Sequence, residues 1–287
     1  MQGYLSKEDI NTFYRQGYVV KKNCIPSAEV KVLDSIIDDV LVHSVKDIKS
    51  EGHSIDAAND QTTHINGARV VFRQGDNRDI KVVRINGVSG FSPILLQTLR
   101  SDKLCHTFLE LLKCKEIEHI INQMHPKLPS DGVVYHKHKD VQFRRDFDPN
   151  WSDVLDNGSG SYAICILAVD SMSRENGGLY IDPSTFDPKS PLPARNTVDD
   201  ELVWVTAEPG DLLFMHPHLD HGSKPNTSIS SRKTLLSGFC ALNANTKTYP
   251  GTDVNDIISV DADGTSILTR PAEWKDCVVQ SQMTTFH

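Results

Sequence analysis

Short apolar segments separated by turn-forming residues dominate the second half of the chain, and they constrain its fold more than any other feature. Between residues 117 and 242, clusters of Gly, Pro, Asn, Asp and Ser interrupt runs that are too short for membrane or bundle helices. The runs lie at 117–124, 162–169, 202–206, 211–215 and 234–242. This alternation is typical of an antiparallel β-sandwich or barrel.

The beginning of the chain has the 3.6-residue periodicity of amphipathic helices. Ser6 followed three positions later by Asp9 resembles a capping box, and the helix that it begins is predicted to end near Gly17. A short strand is predicted at residues 18–20. Ser27 is predicted to cap a second helix with a buried apolar stripe.

The remaining N-terminal sequence gives a weaker pattern. Residues 45–77 are polar and interrupted by glycine, which predicts loop or weak strand, whereas residues 95–112 are predicted to be helical. Because helices precede strands, the predicted fold is α+β and mainly β, with helices supporting one face of a β core. We predict a single domain over 1–287, with helical support over about 1–116, a β core over about 117–245 and a C-terminal extension over about 246–287.

Charge and hydropathy argue against several classes of protein. The net charge is −8, which disfavours nucleic-acid binding through a broad basic surface. The longest apolar run, 163–169, is far shorter than the roughly 20 residues of a membrane-spanning helix, and the N-terminus turns acidic where a signal peptide would be apolar. Six scattered cysteines without a Cys-x-x-Cys pair indicate reduced thiols. We therefore predict a cytoplasmic protein without nucleic-acid or membrane partners.

Histidine and aspartate cluster twice, at 135–140 and at 216–223. Alternate side chains of a strand share a face, so His138 and Asp140 are predicted to project together as two metal ligands. A third ligand has to come from elsewhere in the fold, and we favour His221. The downstream candidates are His216, His218, His221 and His287.

The sequence after His221 supports this choice. Ser223 shares a strand face with His221, and after a turn at residues 224–227 the chain returns Arg232 on the next apolar strand. Two imidazoles and one carboxylate form the facial triad of a non-heme Fe(II) site, and a nearby arginine suits a carboxylate co-substrate. A second His-x-Asp pair, at 218 and 220, has no separate downstream strand to complete it.

These motifs together resemble the phytanoyl-CoA dioxygenase family. The resemblance rests on segments 138–140, 173–179, 210–217 and 221–226 and on Arg232. It implies a double-stranded β-helix (jelly-roll, cupin-like) enzyme that uses Fe(II), 2-oxoglutarate and O₂. It also implies that His138, Asp140 and His221 bind the iron, while Arg232 and Ser223 hold the distal carboxylate of 2-oxoglutarate.

Other residues are candidates for contacts around this site. By the family's placement, Gln123 and Lys127 are candidates for binding the co-substrate. Arg144 and Arg145 are candidates either for gripping an anionic substrate or for a solvated, salt-bridged loop. Further candidates for the substrate pocket are His136, which could also be a fourth ligand, Trp151, as part of a lid, and Arg84.

The leading functional prediction is a hydroxylase that acts on a small metabolite and releases succinate and CO₂. The basic residues near the triad favour an anionic substrate. One alternative is a cupin-like metal-dependent hydrolase or isomerase that uses His136, His138 and His221 without 2-oxoglutarate. Another is a binding module with a degenerate site, which is disfavoured because every triad position is filled.

Overall fold

Two β-sheets with helices on one side form the molecule. A computed structural model describes residues 2–52, 59–75, 79–153, 161–187, 202–247, 255–261 and 263–269. The helices are α1 (Lys7–Gln16), α2 (Ser27–Ser50), α3 (Pro93–Leu99), α4 (Asp102–Leu112) and α5 (Asp140–Phe147). The strands are β1 (Tyr18–Lys21), β2 (Gln61–Ile65), β3 (Ala68–Gln74), β4 (Ile80–Asn86), β5 (Glu116–Lys127), β6 (Tyr135–His138), β7 (Tyr162–Ala168), β8 (Leu179–Asp182), β9 (Val203–Trp204), β10 (Leu212–Met215), β11 (Asp220–Ser223), β12 (Arg232–Ala241), β13 (Asp256–Val260) and β14 (Ser266–Thr269).

The strands are ordered as in a jelly roll. The large sheet has the order β1-β10-β7-β12-β5-β4-β3-β2, and the β13–β14 hairpin joins it through β5. The small sheet has the order β6-β11-β8-β9, and its pairings are antiparallel like those of the large sheet. This arrangement confirms the predicted mainly β, double-stranded β-helix fold.

The large sheet separates two hydrophobic cores. On its outer face, side chains such as Leu33 of α2 and Phe108 of α4 pack in one cluster with Phe214 of β10. On its inner face, residues such as Ile166 of β7 pack in a second cluster with Ile181 of the small sheet. Complete burial of one such side chain contributes about 1.5–3 kcal/mol. The helices therefore support one face of the sheet, as predicted, and the inner face is left to form the site.

The N-terminal predictions are confirmed in part. Ser6 and Asp9 form the capping box of α1, and the helix ends at Gly17 before β1. Ser27, however, is the first residue of α2 and not its cap, because Pro26 occupies the cap position without a side-chain hydrogen bond. A proline preset near helical φ starts a helix without needing a capping hydroxyl.

The prediction of loop or weak strand at residues 45–77 is wrong for 45–50, which belong to α2, whereas β2 and β3 agree with its strand alternative. Helix α2 continues to Ser50 because Ser44 and Ile48 extend its buried stripe. Strands β2 and β3 then form a hairpin around Asn66 and Gly67, whose φ angles of 51° and 78° are those of a type I′ turn. An Asn-Gly pair between two strands is a sequence pattern that predicts this type of hairpin.

Two further boundaries differ from the sequence-based expectation. The helix predicted over 95–112 is two helices, α3 and α4, because Ser101 between them has the extended ψ angle of 143°. The predicted C-terminal extension contributes β13 and β14 to the large sheet. Within the described part of the chain, no helix has both the length and the apolar composition needed to cross a bilayer.

Burial of Glu118 on β5 gives a prediction about stability. Glu118 is 2% exposed and accepts a hydrogen bond from the Asn245 amide at 2.9 Å, yet burial raises the pKa of Glu118 to about 7. The folded state then binds more protons than the unfolded state, so this residue should contribute about 1 kcal/mol less to the free energy of unfolding at pH 8 than at pH 6. Urea unfolding at both pH values should show that Glu118→Gln removes this difference.

The exposed Glu110 of α4 provides the matched control, because Glu110→Gln should leave the pH dependence of unfolding as it is in the wild type. If Glu118→Gln and the wild type lost the same free energy between pH 6 and pH 8, Glu118 would not titrate in this range.

Candidate metal centre

The two ligands predicted to share a strand lie instead at a junction between a strand and a helix. His138 is the last residue of β6, Lys139 occupies the cap position, and Asp140 is the first residue of α5. The prediction that alternation along one strand brings His138 and Asp140 together is therefore wrong in its reason. The chain turns at Lys139, and the turn places the carboxylate at the positive end of a helix dipole.

Three side chains nevertheless converge. One ligand atom from each of His138, Asp140 and His221 lies within 4.8 Å of the others. The His138 Nε2 atom is 3.6 Å from Asp140 Oδ1, and His221 Nε2 is 3.8 Å from Asp140 Oδ2. Neighbouring ligands of an ion bound at about 2.1 Å stand about 3 Å apart, so a small inward adjustment would complete the coordination.

Both imidazoles present the same nitrogen to the centre. His138 Nδ1 lies 2.6 Å from the His136 carbonyl oxygen, and His221 Nδ1 lies 3.0 Å from the Leu219 carbonyl oxygen. Each Nδ1 therefore carries the proton and donates it to a backbone carbonyl. The Nε2 lone pairs are left for a metal, in the orientation that metal-binding histidines commonly have.

The electrostatics favour a charged carboxylate between these rings. Burial alone would raise the pKa of Asp140, but the neighbouring His221 and His138 and the charge of Arg144 lower that pKa to about 2. Burial lowers the pKa of His221, which favours the neutral imidazole that binds metal. Asp140 Oδ2 is buried without a hydrogen-bond partner. Asp140 raises the pKa of His138 against the effect of burial, so a metal that binds His138 Nε2 has to displace a proton there. Two imidazoles and one carboxylate with an unsatisfied oxygen are a donor set that fits Fe(II).

His136 is not part of this cluster. Its side chain is exposed, and its backbone carbonyl accepts the hydrogen bond from His138. The pairing of β6 with β11 contains an irregularity, because His138 lies opposite His221 while Tyr135 lies opposite Ser223. The fourth-ligand role and the cupin-like alternative, which both require His136, find no support in this geometry.

Arg232 and Ser223 are buried close to the centre. Arg232 is 4% exposed and donates from Nη1 to Thr234 Oγ1 at 3.0 Å, while its Nε has no partner. The Ser223 hydroxyl is also buried without a partner. Both residues flank Tyr135, which is opposite Ser223 in the small sheet and within electrostatic reach of Arg232. No carboxylate of the described residues forms an ion pair with Arg232.

The inner face of β5 adds a residue that sequence reasoning missed. Gln123 and Lys127 were predicted contacts, and His125 lies between them on the same face. The His125 ring stacks on Tyr135 with the ring centroids 5.0 Å apart, and its Nε2 lies 3.2 Å from Gln123 Oε1. Alternation from Gln123 along the strand could have identified His125.

Lys127 is placed differently from the prediction. The residue is 1% exposed, and its ammonium group donates to the carbonyl oxygens of Val133, at 2.8 Å, and Lys224. Burial, followed by the charge of Arg232, lowers the pKa of Lys127 to about 7. These bonds join β5 to the segments before β6 and after β11, which favours an anchoring role over a contact with the co-substrate.

The two arginines of α5 have different environments. The Arg144 guanidinium lies 5.5 Å from the centroid of the Tyr162 ring, on the inner side of the helix, and its charge acts on Asp140. Arg145 instead forms an ion pair with Asp153. The predicted salt-bridged loop therefore applies to Arg145, which lies on a helix, while Arg144 remains a candidate for the substrate.

The remaining aromatic and histidine candidates are packed. Trp151 is 8% exposed, and its ring meets that of Tyr162 edge-on with the centroids 6.0 Å apart, so a packing role explains its presence. The segment 158–160, which was predicted to continue a lid, lies outside the described residues. His216 packs 5.6 Å from the ring of Phe13, and burial lowers the pKa of His216 to about 3. His216 is thus a neutral structural residue, as expected.

Arg84 lies on the inner face of β4, and the neighbouring strand carries a second inward arginine, Arg69, which the sequence analysis did not identify. Burial lowers the pKa of Arg69, and the charge of Arg84 lowers it further. The direction of both side chains depends on the register between β3 and β4, and β3 lies in the segment that was predicted as loop or weak strand. The sequence therefore gave little signal for Arg69.

The family of the chain follows from comparison with known sequences. The profile of the phytanoyl-CoA dioxygenase (PhyH) family matches residues 13–234, which include all three clustered side chains and Arg232. This chain belongs to the phytanoyl-CoA dioxygenase family. Membership confirms the predicted resemblance, and together with the His138, Asp140 and His221 cluster it supports Fe(II) and 2-oxoglutarate as cofactor and co-substrate.

Two curated proteins are similar to this chain in sequence. A probable phytanoyl-CoA dioxygenase of Caenorhabditis elegans is 23% identical over 252 residues, which are 80% of this chain and 74% of the relative. A methylphosphonate hydroxylase of Gimesia maris is 33% identical over 89 residues, or 29% of this chain. That alignment spans only 34% of the hydroxylase, about one third of its length.

Solved structures with this fold have more distant sequences. HygX from Streptomyces hygroscopicus, solved with nickel and 2-oxoglutarate bound, matches with a TM-score of 0.57 and 14% identity over 83% of this chain and 88% of its own. SnoN, an α-ketoglutarate-dependent epimerase of nogalamycin biosynthesis, matches with a TM-score of 0.53 and 12% identity over 82% of each chain. The fold thus carries more than one reaction, and within it this PhyH-family chain is a non-heme iron, 2-oxoglutarate-dependent enzyme.

Metal binding should be measurable as thermal stabilisation. Mn(II), or Fe(II) under anaerobic conditions, should raise the free energy of unfolding by about 2.7 kcal/mol when its concentration is a hundredfold above Kd. His221→Ala should abolish the rise in Tm because it removes one of three ligands. His136→Ala is the matched control and should keep the rise. Loss of the rise in His136→Ala, or its survival in His221→Ala, would contradict the three-residue site.

Proposed function

We propose that this chain hydroxylates an unactivated C–H bond of a small anionic metabolite. In this proposal His138, Asp140 and His221 bind the iron, and Arg232 and Ser223 bind the distal carboxylate of 2-oxoglutarate. The bound iron and 2-oxoglutarate supply the oxidation: 2-oxoglutarate is decarboxylated to succinate and CO₂, one oxygen atom of O₂ enters succinate, and the other enters the alcohol product.

One observation carries the proposal: the buried Arg232 guanidinium, on the inner face of the large sheet, has an unpartnered Nε and forms no ion pair with a described carboxylate, although Asp131 and Asp170 are within electrostatic reach. An unpaired buried charge is strongly unfavourable, so Arg232 is best explained by an anion that binds there during function. The unsatisfied Ser223 hydroxyl offers a second hydrogen bond to the same anion. A dicarboxylate that reaches from Arg232 to the metal satisfies both groups.

The side chains of the centre are suited to this task. Protonated Nδ1 atoms bound to backbone carbonyls fix the planes of His138 and His221, so the ligands are oriented before the metal arrives. Three protein ligands leave further coordination positions open for the keto acid and O₂. The carboxylate of Asp140 occupies the position that a halide takes in halogenases of this broad class, which favours hydroxylation.

The anionic nature of the substrate is supported from two sides. The inner side of the site carries Arg144, whose charge acts on Asp140, whereas Lys137 of β6 is already paired with Asp182 at 3.1 Å and is not available to a substrate. The relative from Gimesia maris is named a methylphosphonate hydroxylase, which denotes oxidation of a small anion. A small anionic substrate is therefore the class we propose for this chain.

The direct test is spectroscopic. Purified protein loaded with Fe(II) and 2-oxoglutarate in the absence of O₂ should develop the weak visible charge-transfer band of the chelate. The band should be absent when His221→Ala replaces the wild type. Folded wild-type protein that binds Fe(II) but develops no band with 2-oxoglutarate would refute the proposed function.

Arg232→Gln should weaken 2-oxoglutarate binding tenfold to a hundredfold, because hydrogen bonds to charged groups contribute about 1.5–3 kcal/mol each. Titration of the band with 2-oxoglutarate measures this, while metal-induced stabilisation should persist because Arg232 is not a ligand. Arg15→Gln, at an exposed site in α1, is the control. An unchanged affinity for 2-oxoglutarate in Arg232→Gln would place the co-substrate elsewhere.

A further inference from the structure

Two arginines face inward from adjacent strands at the far side of the large sheet. Arg69 of β3 lies opposite Asn86 of β4, and Arg84 of β4 lies opposite Val71 of β3. The two arginines are therefore diagonal neighbours on one face, at a spacing that long side chains can bridge. Asn86 also lies opposite Gln123 of β5, so a polar row continues toward the centre of the sheet.

Each guanidinium group has a buried donor without a partner, although Arg84 as a whole is only half-buried. Arg69 is 7% exposed, and the Nε atoms of Arg69 and Arg84 are buried without hydrogen-bond partners. Among the residues that the structure describes, neither arginine forms an ion pair with a carboxylate. Two like charges placed together in this way destabilise the fold unless an anion joins them. The contrast with Arg73 on the same strand is direct, because Arg73 pairs with Asp60 at 2.7 Å.

The arginine pair lies on the inner face of the large sheet, which packs against the small sheet that carries His138 and His221. His125 of β5 is within electrostatic reach of Arg84, Arg232 and Asp140, and burial together with the nearby cations lowers the pKa of His125. Tyr135, which stacks on His125, is likewise within reach of Arg84. One side of the site is therefore formed by Arg232 and another by the arginine pair, with His125 between them.

The charges of the proposed co-substrate complex leave this pair unbalanced. Fe(II), the Asp140 carboxylate and the 2-oxoglutarate dianion together carry one negative charge, which Arg232 neutralises. Lys127 has Asp131 within electrostatic reach. Asp131 and Asp170 are also within electrostatic reach of Arg232, whereas Arg69 and Arg84 form no ion pair with a described carboxylate, so a dianion would match the charge of the pair.

We propose that Arg69 and Arg84 bind the phosphoryl dianion of the substrate, as found in a phosphonate or a phosphate monoester. Guanidinium groups present planar forks of donors that match tetrahedral phosphoryl oxygens, and two such forks match two negative charges. The Asn86 amide can add a donor from the same face. This assignment rests on the proposed function, because it takes the iron and 2-oxoglutarate sites as given and names the substrate class.

Calorimetric titration of the metal-free protein with inorganic phosphate at pH 8 tests the site. We expect wild-type protein to bind phosphate, and Arg69→Gln and Arg84→Gln each to weaken binding by tenfold or more. Arg73→Gln is the matched control, since Arg73 is on the same strand and already paired, and it should bind phosphate like the wild type. Arg69→Lys and Arg84→Lys, which keep the charge, should retain part of the affinity and preserve the test if a glutamine variant fails to fold.

Competition separates this site from that of the co-substrate. In Mn(II)-loaded protein, saturating 2-oxoglutarate should leave phosphate binding in place, whereas loss of phosphate binding would assign the pair to 2-oxoglutarate and overturn the proposal. Absence of phosphate binding to the wild type, or equal binding by wild type and both glutamine variants, would also overturn it. Succinate release in the presence of Fe(II), O₂ and 2-oxoglutarate should then be compared with methylphosphonate, ethyl phosphate and propionate as added substrates. Stimulation by methylphosphonate indicates a phosphonate substrate, and stimulation by ethyl phosphate indicates a phosphate ester. Stimulation by propionate alone contradicts both substrate classes.

The two proposals fail separately. Phosphate binding that depends on Arg69 and Arg84, without a charge-transfer band, would refute the oxygenase and with it the assignment of the anion as an oxygenase substrate. A charge-transfer band without phosphate binding would keep the oxygenase and refute the phosphoryl site.

Discussion

The candidate site depends on the pairing of two short strands, β6 and β11. In that pairing His138 lies directly opposite His221, so residues far apart in the chain become neighbours. A strand slipped by one residue turns every side chain to the other face, and such a slip here would separate the imidazoles. Strand β11 is held on its other side by β8, with Asp220 opposite Asp182. The small sheet therefore fixes the register on which metal binding depends.

A second constraint is the charge on the inner face of the large sheet. Its β7 and β10 part is apolar, whereas the part formed by β12, β5, β4 and β3 carries Arg232, Lys127, Arg84 and Arg69. Unpaired buried cations reduce the stability of the ligand-free protein, and binding of anions restores it. Pre-positioned charges also lower the reorganisation needed when the anions arrive. In the proposed function, the lower stability of the ligand-free protein accompanies sites that are already arranged for anions.

The sequence predicted which side chains converge at the candidate site better than it predicted the residues around them. Spacing along the chain was enough to identify His138, Asp140, His221 and Arg232. That spacing is the same whether Asp140 lies on a strand or begins a helix. Side chains such as Arg69 could not be found in this way, since the inward direction of a residue depends on which strands pair and in which register. The hairpin at Asn66 was readable from local turn chemistry, but it lay in a polar segment whose strands show no clear alternation.

Burial distinguishes candidate site residues that look equivalent in the sequence. Arg144 and Arg145 are adjacent, yet one lies over Tyr162 and acts on Asp140 while the other pairs with Asp153. Lys127 illustrates the same limit, because its ammonium group is directed at two backbone carbonyls that no spacing rule could have identified. Residue types capable of catalysis or binding reduce the number of candidate site residues. The packing of neighbouring helices and strands then decides which of these candidates face the site.

The glycine between His221 and Ser223 shows how tightly packing and chemistry are joined. A Cβ at Gly222 would overlap the Tyr180 hydroxyl and would stand 2.7 Å from the Tyr135 carbonyl oxygen. Any larger residue would therefore push β11 away from β6 or β8. Because β6 carries His138, that displacement would move one imidazole away from the other and also shift the Ser223 hydroxyl. The requirement for glycine at this position thus follows from the close approach of three strands, and the metal ligand and the proposed co-substrate contact on either side of Gly222 both depend on it.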